Sequence, residues 1–342
     1  MMKRSAILID REFLKHMPGR GHPERPERLR VLLDLAETLD PARFQLMPAR
    51  AALRSEIELC HDPKYVQLVE STAGLSQYAL DGDTITSQDS FAVALLATGG
   101  FLRLLDSVAA GESSNAFAMI RPPGHHALRN RAMGFCLFNT IAVGAQYLKT
   151  AHGAKLIAIV DWDVHHGNGT QEAFYNDPSV LFVSAHQYPF YPGTGGVAEV
   201  GVKEGAGFTI NVPLPAGCGD AEYLRVFRDV VIPALERFGP QWILVSAGFD
   251  PHRQDPLAGM NVTEAGFSQM ARAMLQLAEV YCGGKIAFLL EGGYDLTALR
   301  SSVAGVLERL QQSGGDKFPS DVGGEKIDPL LRAVLRTHDQ FH

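Results

Sequence analysis

The strongest constraint on the fold is a series of short, largely apolar runs that recur through most of the chain. They occupy residues 5–9, 116–120, 156–160, 180–184, 207–212, 242–247 and 286–290. Runs of this length, rich in Val, Ile, Leu and Ala, are typical of strands that are buried on both faces of a sheet. Helical patterns lie between or beyond them, at 90–109, 139–150, 220–238, 264–281 and 296–312. The alternation predicts an α/β fold with a mostly parallel, open sheet of about eight strands and helices on both faces.

The organisation of the chain favours one domain. Its 342 residues would allow two domains, but no linker or internal repeat divides them, and α/β proteins of this size often form a single unit. We therefore expect a single domain over residues 1–342. Residues 74–90, which include Asp81 and Asp83, are expected to form a long surface loop, and loops of that length often have a function.

Composition argues against several classes of protein. The net charge of −7 and the lack of a basic run disfavour nucleic-acid binding. The acidic balance would suit a cationic substrate, although solubility is the simpler explanation. No stretch is long enough to predict a membrane span, and the apolar stretch after Arg4 is too short for a signal peptide. The four cysteines have no C-x-x-C spacing. We therefore expect them to be reduced, buried thiols in a cytoplasmic protein, and they are Cys60, Cys136, Cys218 and Cys282.

The run at 156–160 leads directly into a cluster of charged residues. Asp161, Asp163 and His165 occupy alternate positions, and side chains two apart on an extended strand point the same way. Two carboxylates and an imidazole delivered together form a typical set of metal ligands. The alternative is a solvated strand end at which Asp and His only cap a loop.

Other runs also end in polar or glycine-rich turns. His125 and His126 follow the run at 116–120, Asp250 follows 242–247, and Tyr294 follows 286–290. Open parallel sheets bind ligands at the carboxyl ends of their strands. Two adjacent histidines in a Pro/Gly loop suit acid–base or ligand roles, whereas Tyr294 alone would suggest a packing residue. Because several strands place such groups at one edge, we interpret the set as a functional site.

The motifs together resemble those of the zinc-dependent histone deacetylase family, which has the arginase/deacetylase fold. They are Arg-Pro-Pro-Gly-His-His at 121–126, Asp-Trp-Asp-Val-His-His-Gly-Asn-Gly-Thr at 161–170 and Ser-Ala-Gly-Phe-Asp at 246–250. The resemblance extends from 22–28 to Glu-Gly-Gly-Tyr at 291–294, which implies a single histone deacetylase-like catalytic domain. It is similar to the class II branch and its bacterial relatives, the histone deacetylase-like and acetylpolyamine amidohydrolases.

The resemblance implies one Zn²⁺ per chain, held by Asp163, His165 and Asp250. Three protein ligands leave an open position, as a catalytic zinc requires, and such a zinc polarises a carbonyl and acidifies water. The resemblance also implies a structural K⁺ or Na⁺ near the zinc, at Asp161, Asp163, His165, Ser184 and Ala185. Phe174 and Val180 match part of a second, weaker site for a monovalent cation.

The resemblance also assigns catalytic roles. His126 matches the general base that later protonates the leaving amine, and His125, paired with Asp161, matches a cationic stabiliser. Tyr294 would donate a hydrogen bond to the tetrahedral oxyanion. Asn168 stands where class I members have an acidic residue and class II members have Asn. A neutral partner raises the pKa of His126 less than a carboxylate would, which keeps the base neutral at pH 7.

A narrow aromatic slot for an apolar stem is the remaining feature that the resemblance implies. Phe135, which follows Gly134, and Tyr191 match the two walls of the substrate tunnel. Arg28 matches an arginine of an internal product channel, although a surface arginine on an amphipathic helix is an equally good interpretation. The tunnel assignment comprises Gly134, Phe135, Tyr191, Leu257 and Gly293.

We interpret the chain as a zinc-dependent deacetylase that hydrolyses an acetylated primary amine, either an acetyl-lysine side chain or an acetylpolyamine. Leu257 stands where a glutamate accompanies polyamine preference in the family, which favours acetyl-lysine, whereas Asp81, Asp83 and the net charge favour the polyamine. The alternatives are an acetylpolyamine-specific amidohydrolase, a two-metal ureohydrolase and a non-catalytic ligand-binding protein on the same fold. The sequence leaves the oligomeric state open, with a homo-oligomer among the options.

Overall fold

One parallel sheet of eight strands runs through the protein. The structure, a computed structural model, describes residues 3–312 and 318–341. The sheet strands are β1 (Ser5–Leu8), β2 (Phe44–Met47), β5 (Ala116–Ala118), β6 (Ile157–Asp161), β7 (Val180–Gln187), β8 (Thr209–Leu214), β9 (Trp242–Ala247) and β10 (Ile286–Leu290), and a separate antiparallel hairpin comprises β3 (Tyr78–Ala79) and β4 (Ile85–Thr86). The order across the sheet is β2-β1-β5-β10-β9-β6-β7-β8, and every neighbouring pair is parallel.

Helices cover both faces of the sheet. The helices are α1 (Glu27–Ala36), α2 (Arg54–Ile57), α3 (Pro63–Glu70), α4 (Ser90–Ala109), α5 (Thr140–Ala151), α6 (Asn168–Phe174), α7 (Asp220–Val226), α8 (Ile232–Phe238), α9 (Glu264–Cys282), α10 (Leu296–Leu310) and α11 (Asp328–His338). Alternate residues of one strand enter different cores: Ala158 and Val160 of β6 pack with α7, α9 and α10, whereas Ile157 and Ile159 pack with α4 and α5. This arrangement explains why the strands read as unbroken apolar runs rather than as alternating patterns.

The predicted fold class is confirmed, and the differences have local causes. β2 was not predicted because it is a short edge strand in which Gln45 and Leu46 are not buried, so it lacks an apolar run. The helix expected at 220–238 consists of α7 and α8 joined by a π-helical segment, Phe227–Val231. The expected loop at 74–90 contains the β3–β4 hairpin, and all four cysteines are buried and free, as expected.

One described helix, α4, is long and apolar enough to cross a membrane by length and composition. These two properties are weak grounds, because the core helix of a globular protein also has them. In this structure 67% of the apolar window of α4 is buried inside the protein, where it packs against α5, β1 and β5. The expectation that no segment spans a membrane stays a prediction.

Helix α4 also makes a close backbone contact that generates a test of the fold. A Cβ atom at Gly99 would collide with the backbone of Arg50 and Ala52, which cannot move as a flexible side chain would. We expect Gly99→Ala to lower the free energy of unfolding by about 1–3 kcal/mol, as overpacking does. The matched control is Gly305→Ala in α10, where a Cβ has only ordinary contacts and helix propensity favours alanine by up to about 1 kcal/mol. Urea denaturation of both variants checks this, and equal effects would contradict it.

Candidate active site

The sheet brings together the polar turns that follow four neighbouring strands. β5, β10, β9 and β6 lie side by side in that order. The register pairs Asp161 at the end of β6 with Ser246 of β9, so the residues beyond these two positions meet at one edge. Parallel strands therefore explain why groups distant in sequence converge. The turns contribute His125, His126, Asp163, His165, Asp250 and Tyr294.

The three predicted metal ligands converge. The ligand atoms of Asp163, His165 and Asp250 all lie within 4.8 Å of one another. His165 Nδ1 is 3.1 Å from Asp163 Oδ1 and 3.2 Å from Asp250 Oδ2. Backbone donors fix both carboxylates, because Val164 N–H donates to Asp250 Oδ1 at 2.9 Å and Gly292 N–H donates to Asp163 Oδ2 at 2.8 Å.

The chemistry of these side chains fits a divalent cation. Asp250 Oδ2 is buried and accepts no hydrogen bond from the described residues, although His165 Nδ1 is close. Burial and the charge of Asp163 raise the pKa of Asp250 to about 7. Burial alone would lower the pKa of His165, but the hydrogen bond to Asp163 and the negative charges of Asp163 and Asp250 raise it to about 10. The pair of carboxylates thus requires positive charge between them, and two carboxylates with one imidazole suit a metal such as Zn²⁺.

Glycines make room for the carboxylates. A Cβ at Gly248 would collide with the Asp163 carboxylate, and a Cβ at Gly292 would collide with that of Asp250. The two glycines therefore allow the backbone to approach the ligand group closely. Asp161 does not belong to the group, since its carboxylate bonds His125 and the Asp163 N–H instead. Among the residues that the structure describes, these three are the one such cluster of potential metal ligands.

The two adjacent histidines have different partners and different charge states. His125 Nδ1 lies 2.9 Å from Asp161 Oδ2, and His126 Nδ1 lies 2.8 Å from Asn168 Oδ1. Burial disfavours a charged His125, but Asp163 and Asp161 outweigh it and raise the pKa of His125 to about 10. Burial, assisted by the positive charge of His125, holds the pKa of His126 well below its usual value. His125 is therefore cationic and His126 neutral at pH 7.

The orientation of Asn168 defines the tautomer of His126. The Asn168 amide donates through Nδ2 to Met133 Sδ at 3.3 Å, which leaves Oδ1 as the acceptor facing His126. His126 then carries its proton on Nδ1, and the lone pair of Nε2 is available to accept another. This arrangement is the one that a general base requires.

The turn that carries Tyr294 is anchored on both sides. Arg28 is fully buried, and its Nε and Nη2 each donate at 2.6 Å, to Gly293 O and Glu291 O. Its guanidinium also lies 4.8 Å from the centre of the Tyr294 ring. The backbone N–H of Tyr294 donates to Asp255 Oδ2 at 2.6 Å. The interpretation of Arg28 as a surface arginine is therefore wrong. The Tyr294 hydroxyl has no hydrogen-bond partner among the described residues.

Aromatic rings line the approach to the site. The Phe135 ring lies edge-on to Tyr294 at a centroid distance of 5.9 Å, and the Tyr191 ring lies edge-on to His126 at 5.2 Å. Phe190, which the sequence did not single out, stacks on His165 at 5.3 Å. The structure thus places one predicted wall, Phe135, beside Tyr294 and the other, Tyr191, beside His126.

The β3–β4 hairpin holds one of these walls in place. Asp83 Oδ1 accepts the N–H of Gly134 at 3.2 Å, and Thr84 Oγ1 accepts the N–H of Phe135 at 3.1 Å. A Cβ at Gly134, whose φ is 57°, would collide with the ring of His126. Leu257 is half-buried, and its N–H donates to Asp255.

The residues expected to bind monovalent cations are also near one another. Ser184 of β7 pairs in register with Asp161, and Ala185 follows it. Phe174 ends α6 and Val180 begins β7, on either side of one short connection. Their use as cation ligands stays a prediction.

An Asp–His–Asp group beside paired histidines, at the carboxyl ends of central parallel strands, can hold a metal ion next to acid–base groups, which is the chemistry of metal-dependent hydrolases. The sequence profile of the histone deacetylase domain matches residues 22–310. A probable deacetylase of Archaeoglobus fulgidus is 43% identical over 85% of this chain and 82% of its own length. The histone deacetylase-like amidohydrolase of Pseudomonas aeruginosa is 37% identical over 91% of this chain and 87% of its length.

A solved structure extends the likeness to three dimensions. The crystal structure of the HDA15 HD domain superposes with a TM-score of 0.90 and 38% identity, covering 99% of this chain and 95% of that one. The chain belongs to the histone deacetylase family. It is a deacetylase or amidohydrolase of the kind that acts on acetylated amines.

The ligand geometry predicts stoichiometric metal binding. We expect the purified protein to hold one divalent ion per chain, and Asp250→Ala to reduce that content at least about tenfold, because two ligands remain and His165 loses a neighbouring charge. The matched control is Asp34→Ala, which removes an exposed carboxylate. Elemental analysis after dialysis measures the metal, and full occupancy in Asp250→Ala would contradict the assignment.

Proposed function

We propose that the protein is a zinc-dependent deacetylase that hydrolyses the amide of an acetylated primary amine to the free amine and acetate. The single observation that carries the proposal is the neutral His126, with Nε2 available, beside the Asp163–His165–Asp250 group. When bound there, Zn²⁺ supplies a Lewis acid for the amide carbonyl and lowers the pKa of water.

His126 acts as the general base and then as the general acid. Its Nε2 accepts the proton of the attacking water, and the same proton goes to the amine nitrogen as the carbon–nitrogen bond breaks. The hydrogen bond from Nδ1 to Asn168 keeps the ring oriented throughout. Asn168 is neutral, so it does not raise the basicity of the ring as strongly as a carboxylate would.

His125 and Tyr294 stabilise the charge that develops on the substrate. His125, held cationic by Asp161 and Asp163, also disfavours a second positive charge on His126, which keeps the base ready at pH 7. No described residue forms a hydrogen bond with the hydroxyl of Tyr294. This hydroxyl donates a hydrogen bond to the oxyanion of the tetrahedral intermediate. The walls formed by Phe135 and Tyr191 exclude water from the stem that carries the amide.

The rim supports acetyl-lysine peptides as substrates that are at least as good as acetylpolyamines. Leu257 offers no charge to a distal ammonium. Asp83 uses a carboxylate oxygen to accept the N–H of Gly134. More distant surface charge is screened within about 8 Å at physiological ionic strength. An acetylpolyamine-specific amidohydrolase is the second candidate. Burial and the negative charges of Asp83 and Asp81 raise the pKa of Tyr191, so the field of these two carboxylates reaches a wall of the predicted tunnel.

The proposal extends to a monovalent cation, a cellular location and the exclusion of two alternative functions. A structural K⁺ or Na⁺ would bind near Asp161 and Ser184, and a cytoplasmic location would match the reduced cysteines. A two-metal ureohydrolase would need further Asp or His ligands beside the three described, and Asp161 is already paired with His125. A ligand-binding protein without activity would not need a general base and an oxyanion donor near the Asp163–His165–Asp250 group.

Removing the oxyanion donor tests the proposal. We expect Tyr294→Phe to keep its fold and metal but to lose at least about 100-fold in kcat on an acetyl-lysine peptide, because one preorganised donor to the oxyanion is lost. His126→Ala should lose as much or more. The control, Tyr147→Phe, removes a hydroxyl that bonds Asp106 far from the site and should be unchanged. A metal-loaded Tyr294→Phe enzyme with wild-type kcat would show that the phenol is structural.

The rim generates a separate prediction about substrate choice. We expect kcat/KM for an acetyl-lysine peptide to equal or exceed that for N8-acetylspermidine, and Leu257→Glu to shift the ratio toward the polyamine, because it adds a carboxylate for the distal ammonium. Leu257→Gln, of similar size without the charge, is the control. A wild type that strongly prefers the polyamine would transfer the recognition to Asp81 or Asp83.

A further inference from the structure

Glu291 is a buried carboxylate for which the proposed reaction has no direct use. It stands between β10 and the Gly292–Gly293–Tyr294 turn and is fully buried. Its Oε2 accepts the backbone N–H of Gly124 at 2.6 Å and that of His125 at 3.2 Å. Its Oε1 accepts the hydroxyl of Ser246 at 3.1 Å.

These contacts join both halves of the catalytic machinery. Gly124 and His125 belong to the loop after β5, which presents the base, whereas the backbone of Glu291 begins the turn that presents Tyr294. The Glu291 carbonyl accepts Arg28 Nη2, so the main chain at this position is itself held. One side chain therefore sets the distance between the base loop and the oxyanion donor.

The two backbone donors depend on this side chain. Both belong to buried residues, and leaving a buried N–H without a partner is unfavourable. The loop could recover that energy only by shifting, and a shift of about 1 Å in a catalytic group can lower the rate about 100-fold. Rigid prolines at 122 and 123 precede the loop, which limits how it can rearrange.

We infer that Glu291 is a positioning residue, which fixes the backbone of Gly124 and His125, and thereby His126, relative to the Tyr294 turn. The inference rests on the proposed function, because it assigns the bracing to the deacylation step. What the position requires is reach and an acceptor oxygen rather than negative charge. A glutamine has both, with Oε1 facing the two N–H groups and Nε2 donating to the Ser246 hydroxyl, whereas an aspartate keeps the charge but is one methylene too short.

The test compares Glu291→Gln, Glu291→Asp and Glu291→Ala. For an acetyl-lysine peptide we expect kcat within about fivefold of wild type for Gln and about 10–100-fold lower for Asp and Ala, with KM within about threefold throughout. Metal content is measured in each sample. Hydrogen–deuterium exchange of peptides covering residues 121–128 should remain slow in Gln and become about tenfold faster in Asp and Ala.

Glu222 provides a matched control, because its Oε2 also accepts a backbone N–H, that of Gly219, at 2.7 Å. Glu222→Asp should leave kcat and exchange at 121–128 unchanged. Equal kcat and exchange in Glu291→Gln and Glu291→Asp overturn the inference, whether both are normal or both are impaired, and so does a loss that follows metal content. If Glu291→Ala does not fold, the Gln and Asp pair decides.

Failure of the proposed function gives a different pattern. A metal-loaded wild type that turns over neither an acetyl-lysine peptide nor N8-acetylspermidine would contradict the deacetylase assignment. It would also contradict a role of Glu291 in that reaction. The hydrogen–deuterium exchange measurement does not depend on turnover. Fast exchange at 121–128 in Glu291→Asp with slow exchange in Glu291→Gln would still support Glu291 as a positioning residue, and identical exchange in the two variants would overturn the inference.

Discussion

The repulsion between buried carboxylates is the constraint on which the site depends. Asp161, Asp163 and Asp250 lie without solvent at the ends of two neighbouring strands. An isolated charge in such a place costs several kcal/mol, so each carboxylate must be compensated. Asp161 has His125, whereas Asp163 and Asp250 each accept a separate backbone N–H and both lie beside the ring of His165. The remaining demand for positive charge falls between the last two, which is why a metal suits that position.

The same charges divide the roles of the two histidines. His125 lies against Asp161 and near Asp163, so it holds its proton. That cation is a neighbour of His126, whose ring centre is 4.0 Å away and whose own partner is only an amide. Burial lowers the pKa of both rings, but only His125 has carboxylates close enough to outweigh it, so a neutral His126 lies next to a cationic His125.

Much of this arrangement could be predicted from the sequence, because its elements are read locally. The apolar runs at 242–247 and 286–290 coincide with β9 and β10, and the motifs that follow them are close in space as the parallel topology requires. The edge strand β2 was missed because it has no apolar run, and the helix α11, which lies beyond the last predicted helix, was not predicted either. Arg28 was ambiguous for the same reason: an amphipathic helix does not reveal whether its arginine faces solvent or the carbonyls of 291 and 293.

Three acidic side chains at the site have contacts that the motifs did not predict, because these side chains accept hydrogen bonds from the backbone. Glu291 accepts N–H groups of the base loop, Asp255 accepts that of Tyr294, and Asp83 accepts that of Gly134. Side chains that touch a substrate are recognisable by their chemistry, whereas a carboxylate that holds a peptide N–H looks like any other acid in a sequence. Loops that carry catalytic groups lack the regular hydrogen bonds of helices and strands, so their donors need such acceptors. Acidic side chains at positions 83, 255 and 291 therefore hold three irregular turns, which the sheet brings within reach of one another.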